Sequence, residues 1–205
     1  TRRAYNAVCE SLVARGKPEA EEVIKSAVSE NEAKFGRTHP VTLRTLDMLV
    51  QLYSSQSRPE EVLPIARELV EARTKSPGPD SPETVGAVAM LAMASGETGD
   101  AAESDRLYAQ AIEAQSRRAG PDDPLTINIK SDHAWMMYWT AMAKDGGDSP
   151  ESKQRIIQAR ELAAKALEGR IRVLGEEHKD TLATMSNLAS MHKELGNEEE
   201  AERLA

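Results

Sequence analysis

Aromatic side chains are scarce in this sequence of 205 residues, which holds one Phe, two Trp and four Tyr. Its apolar content is mostly Ala, Leu, Val and Met, set among many Glu, Lys and Arg. That composition favours helix, and it is poor in the aromatic and β-branched residues that strands favour. An all-α fold is expected. One cysteine, Cys9, excludes an intrachain disulfide and points to a reducing, cytoplasmic setting. The longest clean apolar run, around Ala87 to Ala94, is far too short for the ~20 residues that cross a bilayer. Positive charge is in deficit: 26 Lys and Arg against 34 Asp and Glu leave a net charge of −8. Neither nucleic acid nor an anionic membrane would be attracted to such a chain. No signal-like segment opens it, and it begins at Thr1 without Met, so its natural N-terminus is expected upstream.

What is present is a repeat. "GRTHPVT" from Gly36, "GPDSPET" from Gly78, "GPDDPLT" from Gly120 and "GEEHKDT" from Gly175 align, each with Gly six residues before Thr. Three carry Pro two residues before that Thr (Pro40, Pro82, Pro124), and Lys179 stands there in the fourth. The threonines are Thr42, Thr84, Thr126 and Thr181, so the spacings are 42, 42 and 55 residues, the last being 42 plus 13. Periods of this size mark stacked supersecondary units.

The motif has a local logic. Gly ends one helix in the left-handed conformation at low cost. Ser81 and Asp123 are good N-caps, with Pro after them at the first helical position, where no N–H is needed. His39 and His178 hold the equivalent places as weaker caps. Two amphipathic helices follow in each unit, with stripes at helical spacing. In the first full unit these are Leu46, Leu49, Val50 and Tyr53, then Val62 and Ile65. In the last they are Met185, Leu188, Ala189 and His192, then Ala201 and Leu204. Ala20, Ala92, Ala134 and Ala189 are small residues where paired helices cross.

No catalytic or metal constellation is evident. The four histidines are scattered, none at i, i+4 spacing. His133 and His192 fall on core-facing positions, where a hydrogen-bonded structural role is expected. "KDGGD" lacks the oxygen-ligand series of a calcium loop. "SGETGD" is a helix–helix connection, and Glu198–Glu200 offset a helix N-terminus. No cofactor, metal or enzymatic activity is expected.

The pattern resembles the tetratricopeptide repeat, and "GEEHKDTLATMSNLASMHKELGNEEEAERLA" resembles the kinesin light chain type. Units are expected at about 1–36, 37–78, 79–120, 121–175 and a truncated 176–205. The third full unit is expected to hold its 13 extra residues near 143–153, as a long loop or extra helical turn. Ser95 stands where the family has an aromatic, and His133 where it has Leu. The resemblance implies a right-handed α-solenoid of antiparallel helical hairpins whose first helices line a concave groove. It assigns to that groove Arg44, Met48 and Gln51; Met90 and Met93; Asn128, Asp132, Trp135, Tyr138 and Trp139; and Asn187, Ser190 and Lys193. Asn187, like Asn6 at the other end, matches an Asn that the family uses to hydrogen-bond a ligand's backbone. Basic character, usual in the family groove, is diluted: Arg44, Lys193 and Arg2 face Asp47, Asp132, Glu97 and Glu194. A more apolar ligand is therefore expected.

The rings of "HAWMMYW" are accordingly expected to anchor a partner. The competing reading makes them a packing feature, covered by the insert or padding a wide helix gap. The expected function is an adaptor-like scaffold that binds a protein or peptide segment, with no nucleic acid and no membrane. Self-association through uncapped ends is a further expectation, since Ala205 stops in mid-helix. Two alternatives remain: a sensor or autoinhibitory segment of a larger signalling nucleotide triphosphatase, and a catalytic solenoid.

Overall fold

A computed structural model describes residues 19–205. The expectations for Arg2, Asn6 and Cys9 lie outside the described residues. Among those described, every regular element is a helix: α1 (Glu19–Phe35), α2 (Pro40–Ser55), α3 (Pro59–Lys75), α4 (Pro82–Glu97), α5 (Ala101–Ala119), α6 (Pro124–Asp145), α7 (Pro150–Leu174), α8 (Lys179–Glu194) and α9 (Glu198–Leu204).

The four Gly-to-Thr motifs make the turns that start α2, α4, α6 and α8. Gly120, at φ 95°, closes α5 with its N–H on Ser116 O at 2.9 Å. Thr42, Thr84, Thr126 and Thr181 then donate their hydroxyls to the carbonyls of Gly36, Gly78, Gly120 and Gly175 at 2.8, 2.7, 2.9 and 2.8 Å. All four threonines are buried, and the six-residue spacing is the span of this bond. The caps lie as the motif requires. Asp123 accepts from the N–H groups of Leu125 and Thr126, and Ser81 from that of Thr84. His39 and His178 use Nδ1 to accept from Val41 N and Asp180 N, both at 3.2 Å.

The described residues divide into two compact units, the first ending at residue 87 and the second spanning 88–205. In the first, the stripes of α2 and α3 interlock, and Leu46, Leu49, Val50, Tyr53 and Val62 are buried with Ile24 of α1. Arg73 lies with its guanidinium on Asp47 Oδ1 at 2.9 Å and on the carbonyl of Glu83. Arg58 donates to Glu21 at 2.6 Å and lies 4.4 Å from the centre of the Tyr53 ring.

The second unit is built around Ala134, Met137 and Ala141 of α6, Ile156, Ala159, Ala163 and Leu167 of α7, and Leu188 and Met191 of α8. The extra residues of its enlarged hairpin form no long loop. The first helix grows from the 16 residues of α4 to the 22 of α6, and the second from the 19 of α5 to the 25 of α7. The connection 146–149 stays short. The reason is physical: Ala141 and Ile156, buried near the added turns, extend the apolar seam, so helix continues where core continues. The hairpin tip docks on α8: a Cβ on Gly147 would lie 3.2 Å from Glu194 Oε1 and 2.9 Å from Met142 Sδ.

Candidate binding groove

Helix α6 has two faces set by its own sequence. Ala134, Met136 and Met137 are buried at 0, 5 and 8% exposure, whereas Trp135 and Trp139 keep 38 and 40% of their surface open. The two tryptophans are four apart, so their rings stand one turn apart on one face. Tyr138 is half-buried against the core, and its ring meets that of Trp135 at 5.4 Å between centroids, tilted by 38°. Asp132 lies one turn before Trp135 on the same face and is exposed, as is Asn128.

Asn128 is held in place. Its Oδ1 accepts from Arg170 at 3.0 Å, and Arg170 also donates to the carbonyl of Asp180 at 2.6 Å and to the hydroxyl of Thr184. Arg73 and Arg170 share one repeat position, and each grips a backbone carbonyl at the start of the next first helix. Gln115 occupies that position between them and donates to the cap carboxylate of Asp123 at 2.7 Å. Sequence reasoning missed this trio. Its signal was the repeat spacing, which Arg73, Gln115 and Arg170 follow at 42 and 55 residues.

Two carboxylates that act on Tyr108, Asp132 of α6 and Glu97 of α4, have no partner among the described residues. Asp132 and Glu97 make no hydrogen bond or ion pair there. Glu97, exposed at the end of α4, is raised above its ordinary pKa by loss of hydration. Asp132 is raised for the same reason, against the opposing pull of Arg170. Its surface is open, but the surrounding walls exclude much of its water. Both act on the buried hydroxyl of Tyr108, whose pKa is pushed far above its usual value by burial and then by Asp132 and Glu97. Burial also raises Tyr138, with Glu194 adding to it.

The remaining sequence-assigned positions are less uniform. Met90 and Met93 are half-buried, as are Asn187 and Ser190, while Lys193 is exposed. Ser190 and Lys193 line a cleft of about 430 Å³ between α8 and α9, with Glu198 and Glu202 opposite. Arg44 and Gln51, in the first unit, are exposed. Met48 is a correction: at 8% exposure it is buried and offers no open surface. Leu49 and Val50 beside it are buried too.

The histidines divide. His133 bonds Asp105 through Nε2 at 3.0 Å and stacks on Tyr108 at 5.0 Å. Arg155 grips the same carboxylate at 2.6 and 2.9 Å and reaches Thr140. Burial would raise Asp105, but the bonds from His133 and Arg155 bring it below its ordinary value. His192 departs from the expected hydrogen-bonded role: its buried Nδ1 has no partner, and burial lowers its pKa. No group of three or more His, Cys, Asp or Glu among the described residues is placed to hold a metal. No helix among them is long and apolar enough to cross a membrane.

Comparison with known proteins agrees with this architecture. The sequence model of the family "Tetratricopeptide repeat" matches residues 151–205. Two solved structures from Podosopora anserina are similar over 98% of this chain and 90% of theirs, each at 19% identity. Both are described as a kinesin light chain with nearly identical TPR-like repeats. One of them, a single-substitution variant, has a TM-score of 0.77 and the other 0.75. At that identity the likeness shows the fold, an all-α solenoid of antiparallel helical hairpins. No curated protein sequence matches the chain.

Proposed function

We propose that this chain is an adaptor-like, cytoplasmic protein-interaction module of tetratricopeptide-repeat type, a reading supported by the family match over residues 151–205 and by the shared solenoid fold. It grips a peptide segment of a partner against the open face of α6. The observation that carries this reading is the exposure of Trp135 and Trp139 on a helix whose other large apolar groups are buried or half-buried. Tryptophan loses few rotatable bonds on binding and brings a large apolar area, which makes it a frequent interface anchor. Asn128, fixed by Arg170 through its carbonyl, keeps its amide N–H groups for a ligand's backbone.

The test is a selection of peptides from a displayed random library on the folded chain, followed by affinity measurement. The Trp135→Ala, Trp139→Ala double variant is expected to bind the selected peptides at least ~30-fold more weakly, on the scale of a lost aromatic anchor. Unchanged affinity in the double variant, with its fold intact, would place the binding surface elsewhere.

A further inference from the structure

The carboxylates beside the rings indicate what the groove receives. Several part-buried carboxylates among the described residues are paired: Asp47 with Arg73, Asp105 with Arg155 and His133, Glu21 with Arg58. Asp132 and Glu97 depart from this, next to the largest exposed apolar surface of α6. Two arginines of this unit are already committed. Arg170 is buried on Asn128, Thr184 and the Asp180 carbonyl, and Arg155 holds Asp105. Lys193 lies at the α8–α9 cleft across from Glu198 and Glu202. Asp132 lies one turn before Trp135, and Glu97 acts electrostatically with it on Tyr108. The pair therefore leaves unneutralised negative charge in the part of the molecule where the half-open indoles lie, in a chain of net charge −8.

We propose that the partner segment is basic, with an arginine or lysine side chain laid over Trp135 and Trp139 and its charge met by Asp132 and Glu97. This rests on the peptide-groove reading above. Indole is the strongest aromatic acceptor for a cation over its face. A carboxylate within reach adds a charge-assisted bond of roughly twice the neutral strength. The cation would also relieve the cost that partial dehydration places on both carboxylates.

The experiment reads the composition and the charge dependence of selected peptides at low ionic strength. Trp135 and Trp139 are the only tryptophans in the chain, so their emission reports occupancy of this face directly. Labelled peptides measured by polarisation serve for variants that lack them. Selected peptides are expected to be enriched in Arg and Lys and depleted in Asp and Glu. Their affinity should fall about tenfold with added salt, and again about tenfold in Asp132→Asn with Glu97→Gln. These near-isosteric changes lie at exposed positions, and unfolding midpoints check the fold. Peptides that shift the emission yet are neutral or acidic, and bind the Asn/Gln variant equally, would overturn the basic-partner inference and leave the groove reading standing. Peptides indifferent to loss of both tryptophans, or a selection that yields none, would overturn both.

Discussion

Thr126 donates its hydroxyl to the carbonyl of Gly120 at 2.9 Å, and the same bond recurs at each of the three other turns. It ties the carbonyl of the residue that ends one hairpin to the first turn of the next. The repeat motif is therefore a joint between units as well as a cap.

Replacing Thr126 with Val keeps the shape and removes the donor. The expected cost is about 1 kcal/mol, the net worth of one such bond, and more if the carbonyl is left dry. Thr126→Ser should retain most of it. Urea midpoints of the two variants against wild type read the difference, and equal midpoints would make the spacing a matter of packing alone.

Asp123 accepts from two backbone N–H groups and from the fully buried Gln115. Asp123→Ala is expected to cost about 1–2 kcal/mol, a strong cap with an orphaned amide added. Glu83→Ala should stay within about 0.5 kcal/mol, because only the backbone carbonyl of Glu83 is engaged by Arg73. Thermal unfolding of both variants discriminates.

The hairpins, caps and stripes were legible because the turn chemistry is local and the period repeats. Leu46, Leu49, Val50 and Tyr53 could be placed from spacing alone. The fate of Met48 could not, since it depends on how closely neighbouring helices flank the strip. The Arg73, Gln115 and Arg170 position was hidden because its residue type changes while its place does not. His192 looked like a partnered histidine, but nothing in the sequence shows which polar groups reach its Nδ1. For the rings, composition and register gave the face, and the structure added the unpaired carboxylates beside them.

A long loop near 143–153, one of the two forms the spacing allows, would tolerate deletion. The added residues instead extend helices that carry Ala141 and Ile156 into the core, so deletion there should destabilise the unit. Two neighbouring glycines test the docked tip. Gly146→Ala meets no atom within 4 Å at φ 73°, so only the left-handed backbone cost of about 1 kcal/mol applies. Gly147→Ala carries the same strain at φ 84° and must also push Met142 and Ile156 aside, for a further ~1–3 kcal/mol. Similar midpoints for the two would show a tip that does not press on the core.

Stability should respond to pH in opposite senses at two places. Asp132 and Glu97 have raised folded pKa values, so their favourable contribution is present below about 4, the ordinary carboxylate range, and is lost as pH rises. Asp132→Asn with Glu97→Gln should therefore raise the unfolding midpoint at neutral pH, with the gain fading in acid. Glu21, brought down to about 2 by Arg58 and then Lys25, contributes above its unfolded value and loses that contribution as pH falls toward about 2. Glu21→Gln should lower the midpoint at neutral pH and have little effect in strong acid. Denaturant titrations across this range check both signs.

Trp135, Tyr138 and Trp139 should separate by stability. Tyr138 packs on the core of the second unit, and its truncation to Ala is expected to cost about 2–3 kcal/mol. The tryptophans keep 38 and 40% of their surface in solvent. Trp135→Ala gives up its contact with Tyr138 and should cost about 1 kcal/mol, of the size measured for one aromatic pair. Trp139→Ala should cost less. If either tryptophan instead cost the ~3–5 kcal/mol of a core ring, the exposed face would be holding the fold, and partner binding would have to be sought on another surface.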